Sequence, residues 1–131
     1  MRLAAVVIAS LASLLASASA TAADPSKEYL ARYCSQTGDV CYGIYRLGSS
    51  GRIVFQITTQ ARYFASYRIC VKAPAGTVKC RNLPLNRLTP PRYGANVYWR
   101  RNFGDRGPGV YRVTWSQGGT RLGPTLRFRR P

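Results

Sequence analysis

The stretch that decides the fold runs Gly107-Pro-Gly-Val-Tyr-Arg-Val-Thr-Trp115, then Ser-Gln-Gly118-Gly119-Thr-Arg-Leu122, then Gly-Pro124-Thr-Leu-Arg-Phe-Arg129. Tyr111, Val113 and Trp115 recur at every second position, as do Leu126 and Phe128. Side chains on a strand alternate faces, so each set lies on one side. Gly118-Gly119 suits a two-residue hairpin turn, whose central positions favour φ > 0. That turn places Trp115 opposite Leu122, Val113 opposite Pro124 and Tyr111 opposite Leu126. One face of the hairpin is then apolar, and the other carries Arg112, Arg121, Arg127 and Arg129. Pro124 has no N–H to give to a ladder, so the last strand is expected to be a sheet edge there.

The same alternation appears upstream in Ile53/Phe55/Ile57, in Tyr67/Ile69/Val71 and in Val97/Trp99. Strands are expected at about 41–47, 52–59, 63–73, 77–83, 95–101, 109–116 and 121–129. Gly48-Ser49-Ser50-Gly51, Pro74-Ala75-Gly76, Gly107-Pro108-Gly109 and Gly118-Gly119 supply the turns. Residues 84–94, with Pro84, Pro90 and Pro91, read as a crossover loop. Roughly seven short strands with few helix signals are the pattern of an antiparallel β-sandwich. Before it, residues 24–40 read as an N-terminal arm with a disulfide loop, and Asp24-Pro25 suits the start of a short helical turn over 25–33 or an irregular arm. Residues 41–131 form the sandwich domain.

Residues 107–129 resemble the final two strands of bacterial immunoglobulin-like and fibronectin-type-III-like domains, which show Gly-x-Tyr-x-Val-x-Trp, a Gly-rich turn and a strand ending in an aromatic. Asp105 and Gly107 ahead of Tyr111 are similar to a tyrosine corner, with a longer spacing, and Val113 stands where antibody domains have cysteine. The resemblance implies an immunoglobulin-like fold and no particular activity. The hairpin also resembles periplasmic copper-resistance carriers. Those hold copper with His and Met, whereas this chain has no His and its one Met is Met1.

The chain starts Met1-Arg2, runs apolar from Leu3 to Ala16, and continues with Ala18-Ser19-Ala20 and Ala20-Thr21-Ala22. That pattern reads as a secretory signal peptide over residues 1–23, cut between about Ala20 and Ala23. The apolar run is shorter than the roughly 20 residues of a membrane span. The mature chain is therefore expected outside the cytoplasm, where cysteines pair. Local pairing, Cys34–Cys41 and Cys70–Cys80, is favoured by the turns between them. Pro74-Ala75-Gly76 forms a three-residue hairpin loop that sets Cys70 opposite Cys80. Without a C-x-x-C pair or any His, structural disulfides are expected, with no metal and no cofactor.

The 131 residues hold 20 Lys+Arg, four Asp+Glu and no His, a formal charge of +16. No His removes the commonest general base at neutral pH. The carboxylates are Asp24, Glu28, Asp39 and Asp105. Glu28, the sole glutamate, sits in the arm, whereas secreted ribonucleases of the guanyl-specific kind use Glu and His together. Glycosidases need a carboxylate pair, and Asp39 and Asp105 sit where backbone capping explains them. Lys27, Lys72 and Lys79 mark no dyad with a serine. The chain is thus expected to be no enzyme, with a small hydrolase the least supported reading.

A strongly basic surface attracts wall polymers, acidic polysaccharide, anionic lipid headgroups or nucleic acid. The candidate face bears Arg112, Arg121, Arg127 and Arg129, joined by Arg68 and Lys72 from the neighbouring strand. The nine tyrosines add rings able to stack on bases or sugars, Tyr42, Tyr45, Tyr93 and Tyr98 among them. The bland reading is a solvated basic face without a specific ligand, enriched in arginine by coding bias. The other functional reading is a secreted inhibitor or antagonist, presenting a disulfide-braced loop at 74–76 or 35–40 to a partner protein.

Overall fold

The computed structural model describes residues 26–131. The expected signal peptide, Asp24 and Pro25 lie outside them. The described residues form strands β1 Lys27–Cys34, β2 Val40–Leu47, β3 Ile53–Thr59, β4 Ser66–Lys72, β5 Val78–Pro84, β6 Asn86–Arg87 and β7 Tyr93–Tyr98. A short helix, α1 Trp99–Phe103, then precedes β8 Gly109–Gln117, β9 Thr120–Arg121 and β10 Leu126–Arg130. The first antiparallel sheet runs β1-β2-β3-β7-β6; the second runs β10-β8-β4-β5, with β9 on β8.

The two sheets share one core. Tyr42, Ile44, Phe55, Ile57 and Val97 face it from the first sheet, and Tyr67, Ile69, Val71, Tyr111, Val113, Trp115 and Phe128 from the second. All but Tyr42 and Ile44 come from the alternating sets read from the sequence; Tyr42, read there as a ring able to stack on a ligand, is instead buried in the core, and Tyr45 is buried as well. Trp115 is wholly buried and stacks on Tyr42, with ring centroids 4.4 Å apart and planes at 20°. Both disulfides are the local pairs, and each joins residues directly opposed on adjacent strands: Cys34 to Cys41 and Cys70 to Cys80. Gly76 takes φ +99° in the tight loop between β4 and β5, the role its sequence position suggested.

Four expectations need correction. Residues 27–34, read as a helical turn or irregular arm, are a strand paired with β2. Its register slips between Tyr29 and Ala31, so Leu30 and Ala31 together oppose Ile44 and both pack against the core. This bulge breaks the period of two and hides the strand from an alternation test. Second, the strand expected at 95–101 stops at Tyr98. Trp99 and Phe103, four residues apart, bury both rings on one side of α1, and Gly104 ends the helix at φ +80°. Third, the 84–94 loop contains β6, whose Asn86 pairs with Gly94.

Fourth, the last hairpin is out of its expected register. The turn holds: Gln117 pairs with Thr120, and the Leu122 N–H donates to the Trp115 carbonyl at 3.0 Å. Residues 123–125 then leave the ladder, so Val113 faces Leu126, not Pro124, and Tyr111 faces Phe128, not Leu126. The Tyr42 hydroxyl donates to the Pro124 carbonyl at 2.6 Å and ties this excursion to the first sheet. The slip is two residues, an even number, so no side chain changes face.

Candidate anion-binding face

The six basic residues read from the sequence all lie on the outer face of the second sheet, and all are exposed. β10, β8 and β4 put Arg127 opposite Arg112 and Arg112 opposite Lys72 in one row. Four residues along β8, Arg121 opposes Ser116, and Ser116 opposes Arg68. Arg129 follows Arg127 on β10 and opposes Val110. Between the rows lie Thr114 and the Cys70–Cys80 disulfide. The Thr114 and Thr125 hydroxyls are 3.0 Å apart.

Thus Arg127, Arg112 and Lys72 are direct register neighbours across three strands, whereas Arg68 and Arg121 form a second group on either side of Ser116. The Arg68 guanidinium donates from Nη1 to Asn82 Oδ1 at 3.3 Å. A cleft of about 520 Å³ opens there, between Arg68, Asn82, Ser116 and the Gly118-Gly119 turn. No strand of this sheet contains Asp or Glu. Like charges directly opposed across strands destabilise a sheet by roughly 0.2–1 kcal/mol per pair. No carboxylate on the strands of this sheet offsets that cost. A bound anion would offset it by placing counter-charges over the row.

The described carboxylates are engaged elsewhere. Glu28 Oε2 pairs with Arg46 at 3.4 Å. Asp39 accepts from the Thr37 hydroxyl at 2.8 Å. Asp105 sits at the end of the sandwich, where Oδ1 accepts the Gly107 N–H at 3.0 Å and Oδ2 accepts from Arg130 Nε at 2.6 Å and Arg100 at 3.1 Å. Burial alone pushes the Asp105 carboxyl up, but the Gly107 amide and the two arginines more than reverse this and hold it below the ordinary carboxylate value. The buried Tyr111 hydroxyl closes the cluster. It donates to the Gly107 carbonyl at 2.6 Å and accepts the Arg106 N–H at 2.9 Å.

Among the described residues no group of three or more His, Cys, Asp or Glu is arranged to hold a metal ion, and no helix is long and apolar enough to cross a membrane. The braced loops stand apart from the basic face in character: 35–40 is closed by Ser35 and Val40, and 74–76 by Ala73 and Thr77. No protein-family model, curated protein or solved structure matches the chain.

Proposed function

We propose that this chain is an exported immunoglobulin-like β-sandwich that binds anionic polymers, without catalysis, through the outer face of its second sheet. The observation that carries the reading is the unbroken row Arg127–Arg112–Lys72 on a sheet without a carboxylate. Arginine forks suit bidentate contact with phosphate, sulfate or carboxylate. The Thr114–Cys70 row between the two basic groups leaves low ground where a chain can lie.

The Tyr111–Gly107 hydrogen bond supports the immunoglobulin-like reading, since it has the form of a tyrosine corner. The leader-like residues 1–23 and the two disulfides support export. The engagement of Glu28 in an ion pair, of Asp39 with the Thr37 hydroxyl and of Asp105 with arginines and a backbone amide supports a role without catalysis.

The test is binding to a linear polyphosphate across salt. Affinity is expected to fall steeply between about 50 and 200 mM salt, and replacing Arg112 and Arg127 by Gln should lower the log–log salt slope by about two. Binding that persists unchanged at high salt, or that ignores both substitutions, would sink the reading.

A further inference from the structure

The outer face of the first sheet has a different chemistry. A row of Tyr29, Tyr45, Val54 and Tyr98 crosses β1, β2, β3 and β7, and the next row is Arg32, Gly43, Gln56 and Asn96. Gly43 makes room for a ring: a Cβ there would lie 3.3 Å from Cε1 of Tyr29. Tyr29 meets Tyr45 edge-on, with centroids 5.7 Å apart. Although on an outer face, Val54 is 1 % exposed and Tyr45 4 %. This face is therefore packed in advance of any ligand. Burial, then the neighbouring Tyr29 and Tyr98, push the Tyr45 phenol up, which reflects the same crowding.

Cations cover the rings. Lys27 Nζ stands 4.7 Å from the Tyr45 centroid, and the guanidinium carbons of Arg32 and Arg52 stand 4.9 Å from Tyr29 and 5.5 Å from Tyr98. Each ring holds its cation in place. The tyrosine hydroxyls also occupy the amide acceptors: Tyr29 donates to Gln56 Oε1 at 2.6 Å and Tyr45 to Asn96 Oδ1 at 3.3 Å. Each amide also presents its NH₂ group, a donor. Together with Arg32 they form a row of donors.

At the Tyr98 end a cleft of about 630 Å³ opens between residues 50–53 and α1, lined by Arg52, Arg100, Arg101, Tyr98 and Trp99. Arg100 is paired with Asp105, whereas Arg52 and Arg101 have no carboxylate partner among the described residues. The buried Trp99 indole N–H also lacks a hydrogen-bond partner.

We propose that this face binds an acidic polysaccharide, laid across the strands from Tyr29 to Tyr98 with its carboxylates or sulfates on Arg32, Arg52 and Arg101. A surface rich in cationic and amide donors suits a chain rich in acceptors: acid groups for the guanidiniums, hydroxyl and ring oxygens for the NH₂ groups of Gln56 and Asn96. A single-stranded nucleic acid needs open ring faces to stack on, and here cations occupy them. The cleft falls within the range of about 300–1,000 Å³ that small ligands fill, enough for a sugar at the end of the row. This face and the Arg112 face lie on different sheets, and neither assignment depends on the other.

The experiment titrates the full chain with a short oligouronate and, in a parallel arm, a sulfated oligosaccharide of the same length, so that carboxylate and sulfate are distinguished. Short chains limit diffuse attraction to the opposite face. Replacing Arg52 and Arg101 by Gln should weaken the better ligand about tenfold or more, the loss expected for charge-assisted hydrogen bonds. Replacing Gln56 and Asn96 by Ala should weaken it with an unchanged salt slope. Substituting Arg112 and Arg127 by Gln should leave this affinity in place. The proposal is overturned if neither oligosaccharide responds to Arg52→Gln with Arg101→Gln, two exposed positions, while circular dichroism shows both variants folded. It is equally overturned if a short oligothymidylate or anionic vesicles bind more tightly and respond to the same substitutions.

Discussion

Trp115 of β8 stacks on Tyr42 of β2, and the Tyr42 hydroxyl holds the Pro124 carbonyl. One ring pair thus joins the two sheets, and one hydroxyl fixes the segment where the last strand leaves its ladder. Trp115→Ala is expected to destabilise the fold by about 3–5 kcal/mol, through lost burial and the cavity left behind. Tyr42→Phe keeps the stacking and removes only the hydrogen bond, so about 0.5–1.5 kcal/mol is expected. Denaturant titration by fluorescence and circular dichroism gives both values. Near-equal losses would contradict the separate roles.

Gly123 is required by space. A Cβ there would run into the Tyr33 ring and come within 2.5 Å of the Tyr42 hydroxyl. Both tyrosines belong to packed strands, so neither ring moves freely. Gly123→Ala is expected to cost about 1–3 kcal/mol, the range for overpacking. The same change at Gly119, where nothing lies within 4 Å but φ is +80°, tests backbone strain alone. Thermal melts of the two variants separate the effects.

Asp105 makes stability depend on pH. Its carboxyl is held below the ordinary value in the folded protein. The unfolded chain therefore takes up the proton first, at about pH 3.9. The contribution of Asp105 is fully present above that pH and is lost as pH falls toward the folded value. Asp105→Asn is expected to be less stable than wild type at neutral pH, with the difference closing below about pH 4. A constant difference from pH 3 to pH 7 would remove the charge from the explanation.

The basic row predicts opposite signs for binding and stability. Arg112 stands between Arg127 and Lys72. Arg112→Gln relieves two like-charge contacts, so a gain of up to about 1 kcal/mol is expected at low salt, shrinking as salt screens the row. The same variant should bind polyphosphate more weakly. Melting temperatures and binding isotherms at two ionic strengths test both signs. A variant that loses both stability and binding would mark Arg112 as a packing residue.

Much of the fold was legible because the signals are local. Tyr111, Val113 and Trp115 alternate, and all three point into the core. Gly76 and Gly118-Gly119 mark turns that form. The basic face was legible for the same reason, and its placement survived the register error because the slip was even. The first sheet's outer face was not legible. It depends on β1 lying beside β2, and the bulge at Leu30 and Ala31 conceals that strand. Lys27 and Arg32 therefore carried no signal of their rings, and Arg52 none of Tyr98, which only the pairing of β3 with β7 brings near. Trp99 was read on the same face as Val97, and both are buried, but it lies in a different element, since a period of two at Val97 and Trp99 cannot announce a helix that begins at the second residue.

By itself the sequence determined the all-β class, the faces of most strands, the disulfide pairs and the dominance of positive charge. These follow from neighbours a few residues apart: alternation, turn residues and short cysteine spacings. Only the tertiary structure decided the strand order, the register of β10 and the covering of tyrosines by cations. Those rest on contacts between distant segments, such as Tyr42 with Pro124 or Arg52 with Tyr98. A strand's own pattern says which face is apolar; which strand lies beside it is settled by the packing of the whole core.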